Sequence, residues 1–307
     1  MSKALWADRG QLLSIDLPDA APQAACFGVS RLGSLQLAGN AFSVWFQLRG
    51  SAWVEAREGR FRLRAGDWIA FERDSHPSVQ VDRDGLCIGL AVNGEAQRLL
   101  GQYSEAVLYA GRGAMAPRER RITLQLWRRA LEHLLAEGDG QRDVGALRPL
   151  LLHLGGLQRE LHARIPRCPG RSRSRKRQVF GRLQRARLYL EGNSDRVVRI
   201  GELAQLTSFS AWYFSKTFHS LYDESPQAAS VRIRLDRAAD LLRTTTMTIG
   251  EVAAACGFDN CCSFARAFRA RHGMSATQYR SGLHMTARAN PAKPSRAGGK
   301  AVSKTGT

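Results

Sequence analysis

Ile249-Gly-Glu-Val-Ala-Ala-Ala-Cys-Gly-Phe-Asp-Asn-Cys-Cys-Ser-Phe-Ala-Arg-Ala-Phe-Arg269 is the stretch whose reading decides the fold, because its pieces occur twice. Ile249-Gly-Glu-Val-Ala matches Ile200-Gly-Glu-Leu-Ala, 49 positions earlier. Phe264-Ala-Arg-Ala-Phe268 matches Phe214-Ser-Lys-Thr-Phe218, 50 positions earlier, and Ser275-Ala276 matches Ser225-Pro226 at that same offset of 50. Matches in the same order are the mark of a duplicated unit, here with one residue inserted between its halves.

Each copy reads as helix, short turn, helix. In the first, Ile200, Leu203, Ala204 and Thr207 fall on one helical stripe, and Phe214, Thr217, Phe218 and Leu221 on another. Ser208-Phe209-Ser210 makes the turn, with Ser210 placed to cap the next helix. In the second, Thr248 and Glu251 form a capping box ahead of Ile249, Val252, Ala253 and Cys256. Gly257 supplies a turn residue that accepts positive φ. Asp259 or Asn260 caps the helix on which Phe264, Ala267 and Phe268 face inward. The outward face of the first copy's second helix carries Trp212, Ser215, Lys216 and His219. The repeat sets Cys262, Ala265, Arg266 and Arg269 at the corresponding places. Basic side chains thus recur at two matched positions, as major-groove reading and phosphate anchoring require. A long helix over about Pro226–Arg243 joins the copies as a spacer. It suits two recognition helices roughly one DNA turn, about 34 Å, apart.

On these residues, positions of about 180–281 resemble the DNA-binding domain of the AraC/XylS family of bacterial transcriptional regulators. Thr248–Tyr279 carries the most specific part: Ile249-Gly-Glu-Val-Ala, Cys256-Gly-Phe, Phe264-Ala-Arg-Ala-Phe-Arg, Gly273-Met-Ser and Gln278-Tyr-Arg. The resemblance implies two helix-turn-helix units in one monomer, contacting adjacent grooves of double-stranded DNA. It implies base contacts by Trp212, Ser215, Lys216, Cys262 and Arg266, RNA polymerase as a partner, and activation as the commoner mode. His219, Cys261, Ser263 and Arg269 complete the expected DNA-facing set. Two departures stand out. Thr207-Ser208 replaces the family's small residue and Gly, and Asn260-Cys-Cys-Ser opens the second recognition helix with thiols, which are poor base readers. The first unit is therefore expected to specify and the second chiefly to hold.

Charge supports a polyanionic partner for this part of the chain. The net charge is +19 over 307 residues, and it is uneven. Residues 1–117 hold 12 basic and 12 acidic side chains, 118–166 hold 9 and 6, and 167–307 hold 25 and 9. Nucleic acid or an anionic membrane surface is the partner such asymmetry suggests, against the plainer reading of a basic soluble surface.

The fold class expected is α+β. Short β-rich runs between residues 25 and 92, separated by Arg49-Gly50, Glu58-Gly59, Ala65-Gly66 and Asp84-Gly85, suggest a small antiparallel barrel or jelly roll. Ala65-Gly66-Asp67 and His76 give it a loose likeness to the family's cupin-like sensor. Amphipathic helices over 118–164 follow, and they either cap the barrel or form a homodimer seam. The domains expected are 1–165, a cupin-like sensory or dimerisation domain with trailing helices; 166–178, a basic linker; 179–283, an all-α tandem helix-turn-helix domain with its joining helix; and 284–307, a disordered basic tail. The Arg171–Arg177 run is either a tether or a phosphate-contacting arm.

Trp45, Trp53, Trp68 and His76 are the candidates to meet a small-molecule effector. Against this, the tryptophans read as plain core and His76 as a turn or surface residue. A catalytic cupin needs a His/Glu metal cluster, and residues 25–92 hold a single histidine, so no enzyme is expected. Cys256, Cys261, Cys262 and His272 lack a CxxC pair, so no metal and no cofactor is expected. Redox sensing by Cys261–Cys262 is weighed against incidental small residues. No segment reads as a signal or a membrane span, which suggests a cytoplasmic protein with reduced thiols. Two other functions compete with the regulator: a charge-driven nonspecific nucleic-acid or membrane-surface binder, and a cupin enzyme with a basic accessory domain.

Overall fold

The computed structural model describes residues 5–103, 107–136 and 144–289. They form two compact bodies, divided between Ile233 and Arg234 within one long helix.

The first body begins with eleven strands: β1 (Leu5–Ala7), β2 (Leu12–Ile15), β3 (Ala24–Ser30), β4 (Ser34–Leu37), β5 (Ala41–Arg49), β6 (Ser51–Ala56), β7 (Gly59–Arg64), β8 (Asp67–Phe71), β9 (Ser78–Val81), β10 (Leu86–Asn93) and β11 (Gly111–Ala114). They build a six-stranded sheet, β1-β3-β10-β5-β8-β11, and a five-stranded sheet, β2-β4-β9-β6-β7. Of the expected antiparallel barrel or jelly roll, the barrel is not formed, because the two sheets are not closed on each other. The two sheets stay separate, and β1 pairs with β3, and β2 with β4, in parallel.

The reason lies in where apolar side chains point. One core fills the space between the sheets, with Phe27, Trp45, Phe61, Phe71, Leu35 and Val79 among its members. A second core lies on the outer face of the six-stranded sheet, where Phe46, Trp68, Ile88 and Leu90 meet helices. That sheet is covered on both faces, so β3 is buried along its whole length instead of alternating. Helices α1 (Gly94–Tyr103), α2 (Pro117–Ala136) and α3 (Arg148–Leu157) form the cover. Trp127, Ala130 and Leu134 of α2 and Leu150, Leu151 and Leu154 of α3 are buried there. The apolar stripes over 118–164 are thus spent on the sheet, the capping alternative. A short α4 (Arg159–His162) follows.

Helix α5 (Arg173–Gly192) begins inside the segment expected to be a linker, capped by Ser172, whose hydroxyl accepts the Arg175 N–H at 3.1 Å. Of that segment only residues 168–172 are non-helical, between a 3-10 turn at Ile165–Arg167 and α5. Leu188 of α5 packs into the core between the sheets, while Val179, Phe180, Leu183 and Leu190 pack with the helices that follow. Gly59, at φ +120°, lets the β6–β7 turn meet the end of α5. A Cβ on Gly59 would lie 2.5 Å from the Gly192 carbonyl, and one on Gly192 would lie 2.3 Å from the Glu58 carbonyl oxygen.

Helices α6 (Ile200–Thr207), α7 (Ala211–Tyr222), α8 (Pro226–Thr244), α9 (Ile249–Ala255), α10 (Cys261–His272) and α11 (Ala276–Ala289) complete the chain. Helix α11 continues through Ala289, past the expected start of a disordered tail at 284; residues 290–307 of that tail lie outside the described residues. The second body has a core of its own, built on Leu235, Val252, Cys256, Phe264 and Phe268. Among the described residues no helix is long and apolar enough to cross a membrane.

Candidate nucleic-acid interface

The two helix pairs α6–α7 and α9–α10 are built alike. In the second, Thr248 accepts the Glu251 N–H at 3.2 Å, and Glu251 accepts the Thr248 N–H at 2.7 Å, a reciprocal capping box. In the first, Arg199 stands in Thr248's place and supplies no comparable oxygen. Glu202 still reaches back to the Arg199 N–H at 3.0 Å. The paired positions Thr207 and Cys256 are both buried, and the Thr207 hydroxyl donates to the Leu203 carbonyl at 2.7 Å.

The turns differ in their residues but not in their backbone. Ser208 ends α6 at φ +52°, where Gly257 has φ +71° in the second pair; Asp223 ends α7 at φ +60°, where Gly273 has φ +74°. The first copy holds a side chain at both left-handed positions, each at a cost of about 1 kcal/mol relative to glycine. Asp223 is held there by Arg167, which donates to it through both terminal guanidinium nitrogens. In the second copy, the buried Arg234 donates to the Gly257 carbonyl at 2.8 Å and covers the Phe258 ring at 4.4 Å.

Helices α7 and α10 start on side-chain caps. The Ser210 hydroxyl accepts from Tyr213 N–H at 3.2 Å, and Asn260, rather than Asp259, accepts from Ser263 N–H at 2.8 Å. Both bury a phenylalanine pair, Phe214–Phe218 and Phe264–Phe268, each with ring centroids 5.5 Å apart. Their opposite faces are open. Trp212 is 70% exposed, Lys216 and His219 are exposed, and the Lys216 ammonium lies 4.9 Å from the Trp212 ring centre. Cys261, Cys262, Arg266 and Arg269 are exposed on α10. Ser215 and Ser263 are half-buried, and their hydroxyls donate to the carbonyls of Ala211 and Asn260. They can therefore act only as acceptors toward a ligand unless those bonds break. The remaining cysteines, Cys26, Cys87, Cys168 and Cys256, are buried; burial pushes the thiols of Cys26 and Cys87 up to about 12 and that of Cys168 to about 11.

The expected effector residues do not converge. Trp45 lies between the sheets, its indole N–H on the Ser43 hydroxyl at 3.0 Å and its ring 4.5 Å from Phe27. Trp68 belongs to the core under the helices. Trp53 is 47% exposed on the five-stranded sheet, with the Arg60 guanidinium 4.8 Å from its ring centre. His76 is exposed at φ +45° in the turn between β8 and β9. Among the described residues no cluster of three His, Cys, Asp or Glu is placed to hold a metal ion.

Sequence reading missed the groups that tie α5 and α6 in place. Arg185 donates to Glu58 at 2.8 Å and pairs with Asp74 at 3.0 Å, although 127 residues separate it from Glu58. Burial alone would lower the Arg185 pKa, but Glu58 and Asp74 outweigh it and raise it. No local pattern announces such a pair. Around α6, Arg196 donates to Glu202 at 2.8 Å and to the Tyr189 hydroxyl at 2.9 Å. The Arg196 bond holds the Glu202 carboxyl down to about 2, against the opposing effect of burial, with help from the Arg199 N–H.

This depression carries a pH prediction. The folded value lies below the ordinary 4.5, so the stabilisation is complete above that pH and is lost as pH falls toward 2. Arg196 is 42% exposed, so solvent screening keeps the effect small. Denaturant unfolding measured across this range should show a slope that Glu202→Gln flattens; an unchanged slope in that variant would assign it to other carboxyls.

Comparison with known proteins bears on this arrangement. A family model described as a helix-turn-helix domain matches residues 203–282. Over 128 residues the chain is 33% identical to the HTH-type transcriptional regulator CdhR of Pseudomonas aeruginosa, covering 38% of each chain. It is 30% identical over 93 residues to the transposon Tn10 TetD protein of Escherichia coli, covering 30% of this chain and 67% of that one. The crystal structure of a probable AraC family transcriptional regulator from Rhodopseudomonas palustris shares 31% identity, covering 33% of this chain and 96% of that one, with a TM-score of 0.32. The chain spans 38%, 32% and 37% of the length of the first curated relatives it matches.

Proposed function

We propose that this chain, which belongs to the AraC/XylS family of transcriptional regulators, binds double-stranded DNA sequence-specifically through the open faces of α7 and α10 and thereby controls transcription, as a binding protein and not an enzyme. The observation that carries the reading is the matched pair Lys216 and Arg266. Each is exposed on the second helix of a capped pair, at the same step from the buried phenylalanines. Charge alone would require neither the duplication nor the caps.

The two helices have different tasks in this reading. Trp212 and Lys216 give α7 a flat apolar surface beside a cation, suited to thymine methyls and to guanine or phosphate. Helix α10 offers thiols at its start and two arginines further on, which suit anchoring more than base selection. Activation through RNA polymerase and control by a small molecule complete the proposal. Support for the last comes from α5, which touches both the sheet core and the helices around α7.

Competition binding with a selected site and random DNA tests the reading. Lys216→Ala should cost about 1–3 kcal/mol of discrimination, roughly 5- to 150-fold. Arg266→Ala should cost less discrimination and more overall affinity. Alanine at Arg171 and Arg173 should weaken both DNAs alike and flatten the salt dependence. Full discrimination in both the Lys216 and Arg266 variants would sink the recognition-helix assignment and leave the charge-driven binder.

A further inference from the structure

The first body contains a cleft of about 650 Å³ that none of the expected site residues lines. One wall is α5, which presents Arg177, Arg182 and Arg185 to it. Glu72 and Asp74, which follow β8, line it as well. Tyr109 closes one side. Gly181 keeps the α5 wall low: a Cβ there would meet only the Tyr109 ring, at 3.5 Å. The rim is the end of α6, including Ser208 in the turn that precedes α7.

Most charges around this cleft are already matched. Arg185 pairs with Glu58 and Asp74, and Arg73 with Asp19. Arg182 donates to the Thr207 carbonyl at 3.2 Å and lies over Phe209. Two opposite charges are left. Arg177 has no hydrogen-bond or ion-pair partner among the described residues. Glu72 accepts one backbone N–H, from Ala110; burial pushes its carboxyl up, and the Arg185 charge only partly offsets this.

A simple anion on Arg177 would face Glu72 and Asp74. A simple cation at Glu72 would share the cleft with four arginines, Arg73, Arg177, Arg182 and Arg185. A molecule carrying both charges answers both groups, and the carbonyls ending α6 also favour its positive group. The geometry points to a binding site for a small organic zwitterion of the free amino-acid class, with its carboxylate on Arg177 and its ammonium group toward Glu72. Its occupant touches the turn that sets the start of α7. The site thereby gives chemical content to the effector control proposed above, and it rests on that reading for its consequence though not for binding itself.

Calorimetric titration of the full chain with each of the twenty proteinogenic amino acids, without DNA, tests it. At least one should bind. Its des-amino acid and its decarboxylated amine should each bind roughly tenfold or more weakly, the loss expected for one charge-assisted hydrogen bond. Arg177→Ala should weaken the amino acid by a similar factor. Its side chain is half-buried and unpartnered, so thermal unfolding should stay unchanged and keep that variant interpretable if Glu72→Gln folds poorly. Where Glu72→Gln folds, it should abolish the preference over the des-amino acid. No heat from any amino acid, equal binding of the des-amino acid, or full binding by Arg177→Ala would overturn the assignment. Lys216→Ala should leave the titration unchanged, so failure of DNA reading and failure of this cleft show in different variants.

Discussion

Replacing Arg185 with alanine is expected to lower the unfolding free energy by about 3–5 kcal/mol, the cost of stranding a buried charge. Glu58 is fully buried, and its carboxylate has the Arg185 guanidinium and the Ser75 hydroxyl as partners through one oxygen; the other oxygen has none. Removing the cation leaves an uncompensated carboxylate at the joint between the β6–β7 turn and α5. Arg185→Lys should rescue little, because one guanidinium serves Glu58 through Nε and Asp74 through Nη1, a fork that an ammonium group cannot reproduce. The double variant Glu58→Gln with Arg185→Met should lose much less than Arg185→Ala, since no charge is left buried. Chemical denaturation of the three variants checks this. A loss under about 1 kcal/mol for Arg185→Ala would mean that water reaches the Glu58 carboxylate in the variant and no charge is stranded.

The second large effect is expected at Phe268. It is fully buried and packs against Phe264, His272 and Tyr279, with ring centroids 5.5, 4.4 and 5.6 Å away. Phe268→Ala should cost about 3–5 kcal/mol. The core it belongs to draws only on residues from Leu235 onward, so little else sustains that body. Amide hydrogen exchange should quicken through α9, α10 and α11 while β3, β5 and β10 keep their protection. The matching Phe218→Ala acts in a larger core that reaches α5 and Tyr109, and its effect should spread over the first body. Faster exchange in the sheets of the Phe268 variant would show that the two cores do not unfold separately.

What could be read from the sequence follows the range over which each feature is determined. The helix pairs, their caps and the inward phenylalanines are set within about four residues, so periodicity and cap chemistry reveal them. The strands between 25 and 92 were legible for the same reason. Their closure was not, because it depends on partners distant in sequence: β1 and β2 pair in parallel with β3 and β4, and β11 adds to β8. The tryptophans show the same limit. Trp45, Trp53 and Trp68 all sit in strands, yet one lies between the sheets, one on the open face and one under the helices. Arg185 falls in the segment from 179 onward that reads as helical; only the folded chain supplies Glu58. The open faces of α7 and α10 are legible because they lie opposite the buried phenylalanines of the same helices, while the cleft was missed because α5 and the residues after β8 are about a hundred residues apart.

The double allegiance of α5 also limits how freely the chain can be taken apart and recombined. A fragment begun at 179 would strip away Ser172 and the first helical turn, uncover Leu188, and leave Arg185 without Glu58. Such a piece invites aggregation even with α7 and α10 intact. A chimaera that exchanges the sheets for those of another regulator must import a matching β6–β7 turn, with glycine facing Gly192 and an acid facing Arg185. The junction that looks like a hinge in the sequence behaves in the fold as a keyed coupling, and its key is inherited with the sheets.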